Sequence, residues 1–145
     1  MYQILLVEDN ADDVELTLRA FRKSDLVNTV TVVRDGVEAL DYLLATDGHA
    51  GRDGEDLPDL VLLDIKLPRV DGLQVLERLR ANPRTKLLPI VVLTSSIEPK
   101  DLQTCYALGA NSYVRKPIDF QQFSKALQQI GSYWLETNQA PPAPA

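Results

Sequence analysis

The sequence has little of several residue types on which whole classes of protein depend. It contains one cysteine, Cys105, and one histidine, His49, so a disulfide within the chain is impossible and His49 has no second histidine with which to form a metal site. Its apolar runs fall far short of the roughly 20 residues that a membrane-spanning helix needs. Basic residues number 15 against 21 acidic ones, and the net charge of −6 argues against nucleic-acid binding, which requires a basic face. These shortages predict a cytoplasmic domain that binds neither membranes nor nucleic acids.

What the sequence does contain is an alternation of short apolar runs with segments of helical periodicity. The apolar runs are Ile4–Val7, Val30–Val33, Leu60–Leu63, Ile90–Leu93 and Tyr113–Val114. The first, third and fourth runs are aliphatic without alternation, which is typical of parallel strands covered on both faces. Strands that alternate with helices form parallel sheets with right-handed crossovers. The order therefore predicts an α/β fold, a doubly wound sheet of five parallel strands with five helices.

The helices are marked by apolar stripes and by signals at their ends. The stripes are Val14, Leu18 and Phe21; Val37, Leu40 and Leu44; Leu76 and Leu79; Leu102, Cys105 and Tyr106; and Phe120, Phe123, Leu127, Ile130 and Trp134. The third helix should stop at Asn82, because Pro83 follows it, and the fourth should end at Gly109. Asp119 is the expected N-cap of the fifth. We expect one domain over residues 1–137 and a disordered Pro- and Ala-rich tail over 138–145.

Polar side chains follow the carboxyl ends of four of the five predicted strands. Glu8 and Asp9 come after the first strand, Asp64 after the third, Thr94 after the fourth and Lys116 after the fifth. Ligands of open parallel sheets bind beyond these ends. If the first and third strands are neighbours, three carboxylates converge there, and their repulsion requires a cation. Oxygen ligands in a solvated crevice suit Mg²⁺, and Lys116 could supply a second positive charge.

A site of this composition suits a phosphoryl group. A metal ion and a lysine neutralise phosphoryl oxygens, and a hydroxyl such as that of Thr94 can donate a further hydrogen bond. An aspartate carboxylate can itself be the nucleophile and form an acyl phosphate. Asp64 is the candidate nucleophile, because the rigid strand before it would hold its carboxylate at the metal site.

Each of these residues also has a simpler structural explanation. Asp9 alone would be an N-cap of the first helix, and Asp64 alone would be a turn residue. Lys116 alone would be a solvated surface lysine, and Thr94 a strand-end hydroxyl bonded to the backbone. Tyr113 is explained by packing as readily as by a switching role. The functional interpretation depends on the occurrence of these residues together.

Four segments resemble the response-regulator receiver domain of two-component signalling. They are LLVEDN, LVLLDIKLPRVDG, IVVLTSS and YVRKP, which occur in the family's order at four strand ends. The resemblance covers about residues 2–135 and implies a flavodoxin-like sheet of strand order 2-1-3-4-5. The long connection 47–58, the segment LPRVDGLQVLERLR and the lack of an output domain resemble the stand-alone regulators that are paired with bacterial phytochromes.

The resemblance implies a role for each matching residue. Asp64 would be the phosphoacceptor, and Lys116 and Thr94 would contact the phosphoryl oxygens. Tyr113 would be the aromatic switch that moves with Thr94. The peptide bond between Lys116 and Pro117 would be cis, a minority state for bonds of this kind.

The resemblance also implies a set of Mg²⁺ ligands. Asp9 and Asp64 would bind the metal directly, together with the backbone carbonyl of Lys66. Glu8 would act through a metal-bound water. It stands where the family often has an aspartate.

Three functions follow as hypotheses. In the first, a sensor histidine kinase phosphorylates Asp64, and a phytochrome is the candidate kinase. Phosphorylation alters the surface of the fourth helix, fifth strand and fifth helix. The chain is then not an enzyme on external substrates. The second is a Mg²⁺-dependent phosphatase. Such an enzyme needs a second aspartate two residues after the nucleophile, and this position is Lys66, which argues against the hypothesis. The third is an interaction module that has lost phosphorylation. The presence of the complete set of site residues argues against it.

The apolar end of the fifth helix, near Tyr133 and Trp134, is a candidate homodimer contact.

Overall fold

Five parallel strands form one sheet in the computed structural model, which describes residues 1–26, 28–44, 57–117 and 119–142. The strands are β1 (Tyr2–Val7), β2 (Asn28–Val33), β3 (Leu60–Leu63), β4 (Ile90–Thr94) and β5 (Ser112–Arg115). The helices are α1 (Ala11–Arg22), α2 (Gly36–Leu44), α3 (Gly72–Ala81), α4 (Pro99–Ala107) and α5 (Phe120–Gly131). The sheet order β2-β1-β3-β4-β5 confirms the predicted fold. Most of the predicted connection 47–58, with His49, and the last three residues of the predicted tail lie outside the described residues.

The strands bury side chains on both faces, which explains why β1, β3 and β4 lack alternation. Leu5 and Leu63 belong to the layer covered by α2, α3 and α4, whereas Leu6 and Leu62 belong to the layer covered by α1 and α5. Every residue of β3 and β4 is buried. At about 25 cal/mol per Å² of apolar surface removed from water, these layers are the main stabilising term of the fold. None of the described helices has the length and apolar character needed to cross a membrane.

The helix ends agree with most of the sequence signals. Asp119 caps α5 by accepting a hydrogen bond from the backbone N–H of Gln121 at 2.7 Å. Asn82 is the C-cap of α3, and Gly109 follows α4 with a φ of 102°, a conformation that glycine adopts without strain. The N-cap of α1 is Asn10, so the explanation of Asp9 as that cap is wrong.

Two features depart from the predicted helices. Cys105 is fully buried in α4, but Leu102 and Tyr106 of the same predicted stripe are 41% and 50% exposed, because α4 buries only one side chain. Burial also raises the pKa of the Cys105 thiol to about 11, so this cysteine is a core residue with little thiolate at neutral pH. The predicted fifth helix changes at Gly131 into a π-helical segment, Ser132–Thr137, in which Leu135 is buried.

Candidate functional site

Strand register places the predicted site residues at one edge of the sheet. β1 and β3 pair with Val7 opposite Leu63, so Glu8 and Asp64 leave neighbouring strands at the same level. The backbone N–H of Asp64 donates to the carbonyl of Val7 at 3.1 Å. On the other side of β4, the backbone N–H of Lys116 donates to the carbonyl of Thr94 at 2.7 Å. Parallel pairing therefore brings these four residues, separated in sequence, to the carboxyl edge of β1, β3, β4 and β5.

The ammonium group of Lys116 is the centre of the site. Its Nζ lies 2.9 Å from Asp64 Oδ2 and 2.9 Å from Asp13 Oδ2, and it also contacts Glu8 Oε1. The lysine side chain is only 7% exposed. An ammonium has three N–H donors, and here each has a carboxylate acceptor. Three carboxylates face one ammonium, which leaves a formal excess of two negative charges when all are ionised.

Burial and the shared lysine set the protonation of the site. Burial raises the pKa of Glu8 to about 7, with a further contribution from the charge of Asp64, although the hydrogen bond from Lys116 acts in the opposite direction. Burial by itself would lower the pKa of Lys116. The hydrogen bonds to Asp13 and Glu8 and the charge of Asp64 outweigh this effect, so the pKa of Lys116 is raised. The lysine is therefore charged at neutral pH and remains a fixed cation beside Asp64.

Asp13 is a site residue that the sequence interpretation missed. It lies in the first turn of α1, where its backbone N–H donates to the Asn10 cap at 3.0 Å, and its carboxylate reaches Lys116. Its position in the sequence could have indicated this role. Because α1 begins four residues after the end of β1, the first turn of this helix lies at the same edge of the sheet as Glu8.

The two residues predicted to form the switch are connected through a third. Thr94 is fully buried, and its Oγ1 accepts a hydrogen bond from the backbone N–H of Ser96 at 3.3 Å. The hydroxyl of Tyr113 donates to the backbone carbonyl of Ser96 at 3.2 Å. Both therefore hold the loop between β4 and α4. Their joint movement stays a prediction.

Lys66 connects the phosphoacceptor candidate to α4. Its backbone N–H donates to Asp64 Oδ1 at 3.0 Å, while its side chain points to Asp101 of α4, with Nζ 3.6 Å from Oδ2. Asp101 also accepts a hydrogen bond from the Ser96 hydroxyl at 2.5 Å. Neither Ser96 nor Asp101 was predicted as part of this network. The contacts lead from Asp64 through Lys66 and Asp101 to the loop that Tyr113 holds.

The predicted metal ligands are only partly assembled. Glu8 and Asp64 turn towards Lys116, and Asp9 is exposed. Within the described ranges, no three or more histidine, cysteine, aspartate or glutamate side chains are grouped so as to hold a metal. The chemistry nevertheless fits a divalent cation such as Mg²⁺, because the donors are carboxylate oxygens and the site has the formal excess of two negative charges noted above. The ligand set of Asp9, Asp64, the Lys66 carbonyl and Glu8 stays a prediction.

The predicted cis bond before Pro117 is wrong. The described backbone contains no cis peptide bond, so the bond between Lys116 and Pro117 is trans. The trans form is favoured for bonds to proline by about 0.5–1 kcal/mol.

Comparison with known proteins agrees with the fold. The family model of the response regulator receiver domain matches residues 4–128, and the chain belongs to this family, whose members are signalling proteins of two-component systems. The relatives include phytochrome response regulators, as the narrower resemblance predicted.

Three relatives illustrate the range. The chain is 41% identical over 138 residues to the probable methanogenesis regulatory protein FilR2 of Methanothrix harundinacea, a match that covers 95% of this chain and 86% of that protein. It is 36% identical over 140 residues to response regulator Rcp1 of Synechocystis, covering 97% and 93%. The structure of Rcp1 in its Mn²⁺-bound form superposes with a TM-score of 0.90 over 98% of this chain and all of that chain. The phosphorylated cyanobacterial phytochrome response regulator RcpA superposes with a TM-score of 0.91 at 37% identity, covering 97% and 99%.

Proposed function

We propose that Asp64 accepts a phosphoryl group from the phosphohistidine of a sensor kinase. The observation that carries this proposal is the contact of the buried Lys116 ammonium with the Asp64 carboxylate at 2.9 Å. In the transfer, a carboxylate oxygen of Asp64 forms a bond to phosphorus while the bond from phosphorus to the histidine nitrogen breaks, and the imidazole leaves with its electron pair and takes up a proton. Lys116 offers a fixed positive charge to the phosphoryl oxygens as they approach.

A divalent cation would complete the neutralisation. Mg²⁺ held by Asp9, Asp64 and the Lys66 carbonyl, with Glu8 acting through water, would act as a Lewis acid towards the phosphoryl oxygens. The Mn²⁺-bound form of Rcp1 supports this assignment, because that protein is a relative. The residues of this chain then have separate tasks: Asp64 is the nucleophile, Lys116 is the fixed cation and Thr94 is a hydrogen-bond donor.

We further propose that phosphorylation changes the surface formed by α4, β5 and α5. The oxygens of a phosphoryl group on Asp64 can form an ion pair with the Lys116 ammonium and accept a hydrogen bond from the Thr94 hydroxyl. Such contacts favour the conformer that makes them. Thr94 and Tyr113 both hold Ser96, so movement of Thr94 would alter the loop that precedes α4. Leu102 and Tyr106 are exposed on α4, the helix that follows this loop, and their surroundings would change if α4 moved with the loop.

The phytochrome response regulators among the relatives support a phytochrome as the kinase, and the protein would act in the cytoplasm.

We also propose a homodimer through the end of α5 and the segment after it, where Tyr133 is 49% exposed and packs edge-on against Trp134. Light scattering after size exclusion should give the dimer mass for the native chain and the monomer mass for Tyr133→Lys. A native chain that stays monomeric at high concentration, with and without a phosphoryl mimic, would remove this proposal.

Intact-protein mass spectrometry tests the phosphoacceptor. Incubation with acetyl phosphate and Mg²⁺ should add one phosphoryl group to the native protein and none to Asp64→Asn, because the amide is not a nucleophile. Asp12→Asn is the matched control, since Asp12 is exposed and its side chain makes no ion pair or hydrogen bond within the described part of the chain, and it should be labelled as the native protein is. Undiminished labelling of a folded Asp64→Asn would refute the assignment.

A further inference from the structure

The first turn of α1 contributes a third carboxylate to a site otherwise built from strand ends. Asp13 Oδ2 lies 2.9 Å from Lys116 Nζ, the same distance as Asp64 Oδ2. The side chains of Glu8 and Asp64 are 3% and 8% exposed, whereas that of Asp13 is 28% exposed. It is therefore the acid through which a helix, rather than the sheet, holds Lys116.

The position of Asp13 is fixed independently of the lysine. Its backbone N–H donates to the Asn10 side chain at 3.0 Å, and its backbone carbonyl accepts from the Thr17 hydroxyl at 2.7 Å. Both bonds use backbone atoms, so they remain when the side chain is changed. Rigid support of this kind is what allows a side chain to position another group.

Phosphorylation of Asp64 makes the contact more important. The carboxylate oxygens of Asp64 lose negative charge when one of them becomes bonded to phosphorus, and one N–H of Lys116 must turn to the phosphoryl oxygens. The ammonium then depends on Glu8 and Asp13 for its remaining bonds. Glu8 is also predicted to bind the metal through a water. Asp13 has no predicted role besides its contact with the lysine.

We propose that Asp13 is a positioning residue that holds the Lys116 ammonium over Asp64 for the incoming phosphoryl group. This inference rests on the proposed phosphorylation of Asp64 and adds a residue to it. Asp13 touches neither the phosphoryl group nor its donor. It acts through the lysine, and a misplaced cation slows a transfer that depends on preorganised charge.

The first test is kinetic. The maximal rate of phosphorylation by acetyl phosphate with Mg²⁺ should fall about tenfold in Asp13→Ala, because the ammonium loses one of its three anchors. Asp12→Ala, which removes a neighbouring exposed acid of the same turn, should keep the native rate. Asp13→Asn, which keeps an oxygen acceptor in place, should lose less than Asp13→Ala and serves as the second variant if the alanine protein does not fold. Native rates in both Asp13 variants would overturn the proposal.

The second test does not depend on activity. Nuclear magnetic resonance of the ¹⁵N-labelled protein should show a Lys116 ammonium signal protected from exchange with water, assigned by its loss in Lys116→Arg. Exchange should be faster in Asp13→Ala and native in Asp12→Ala. An unchanged signal in Asp13→Ala would overturn the positioning role whatever the rates. If the native protein takes up no phosphoryl group, the proposed function fails, while this signal still decides whether Asp13 holds the lysine.

Discussion

Lys116→Ala is expected to destabilise the metal-free protein by about 3 kcal/mol, the magnitude typical of a buried ion pair that loses one member. The substitution removes the only ammonium that contacts Glu8, Asp13 and Asp64 among the described residues, and two of these carboxylates are almost completely buried. Their mutual repulsion is then uncompensated. Urea unfolding at neutral pH in the presence of a chelator measures the loss as a shift of the midpoint.

Two further variants test whether the loss of stability in Lys116→Ala comes from the buried carboxylates that lose their cation. Lys125→Ala removes an exposed lysine from α5 and should change the free energy of unfolding by less than about 0.5 kcal/mol. Asp64→Asn in the Lys116→Ala background should recover part of the stability, because it removes one of the repelling charges. A loss below about 1 kcal/mol in Lys116→Ala, the range of exposed ion pairs, would show that the site is solvated and that Lys116 is not its organising cation.

Gly72→Ala is expected to destabilise the fold by about 3 kcal/mol and to impair phosphorylation at the same time. A Cβ at this position would lie 2.3 Å from the backbone oxygen of Asp64 and 2.4 Å from the Cα of Ile65. Both atoms belong to the backbone, so no side-chain rotation relieves the clash. The backbone N–H of Gly72 also donates to the carbonyl of Ile65 at 3.1 Å, and this close approach depends on a residue without a side chain.

Gly131→Ala is the matched control for this prediction. Its Cβ would meet the side chains of Phe21 and Leu26 at 3.2 and 3.3 Å, and side chains can move by a few tenths of an ångström. Alanine is also favoured over glycine in a helix by up to about 1 kcal/mol, which offsets the tighter packing. Denaturant unfolding should therefore place Gly131→Ala close to the native protein and Gly72→Ala well below it. Equal stabilities of the two variants would contradict the close packing of Gly72 against Asp64.

The sheet could be predicted from sequence because burial on both faces leaves a clear mark. LLV before Glu8, LVLL before Asp64 and IVVL before Thr94 are continuous apolar runs, and in a parallel sheet they bring their following residues to one edge. The contact between Lys116 and Asp64, which are 52 residues apart, follows from that register. Strand ends are therefore the part of the site that sequence reasoning can place.

Contacts that depend on side-chain direction could not be predicted in this way. Asp13 and Asp101 lie on helices, and first-turn acids are common there because they interact favourably with the helix dipole. Nothing in the sequence distinguishes Asp13, which reaches Lys116, from the neighbouring Asp12, which is exposed. The exposure of Tyr106 was missed for a related reason: a stripe marks an apolar face, but α4 buries only Cys105 of that face.

The proposed function requires that Asp64 accept the phosphoryl group rather than Glu8, Asp9 or Asp13, which lie at the same edge of the sheet. Borohydride reduces an acyl phosphate to an alcohol, so peptide mass spectrometry of the reduced, phosphorylated protein identifies the residue that was phosphorylated. We predict conversion of aspartate to homoserine at position 64 alone. Conversion at Glu8, Asp9 or Asp13, or a phosphorylated protein in which no carboxylate is converted, would contradict it.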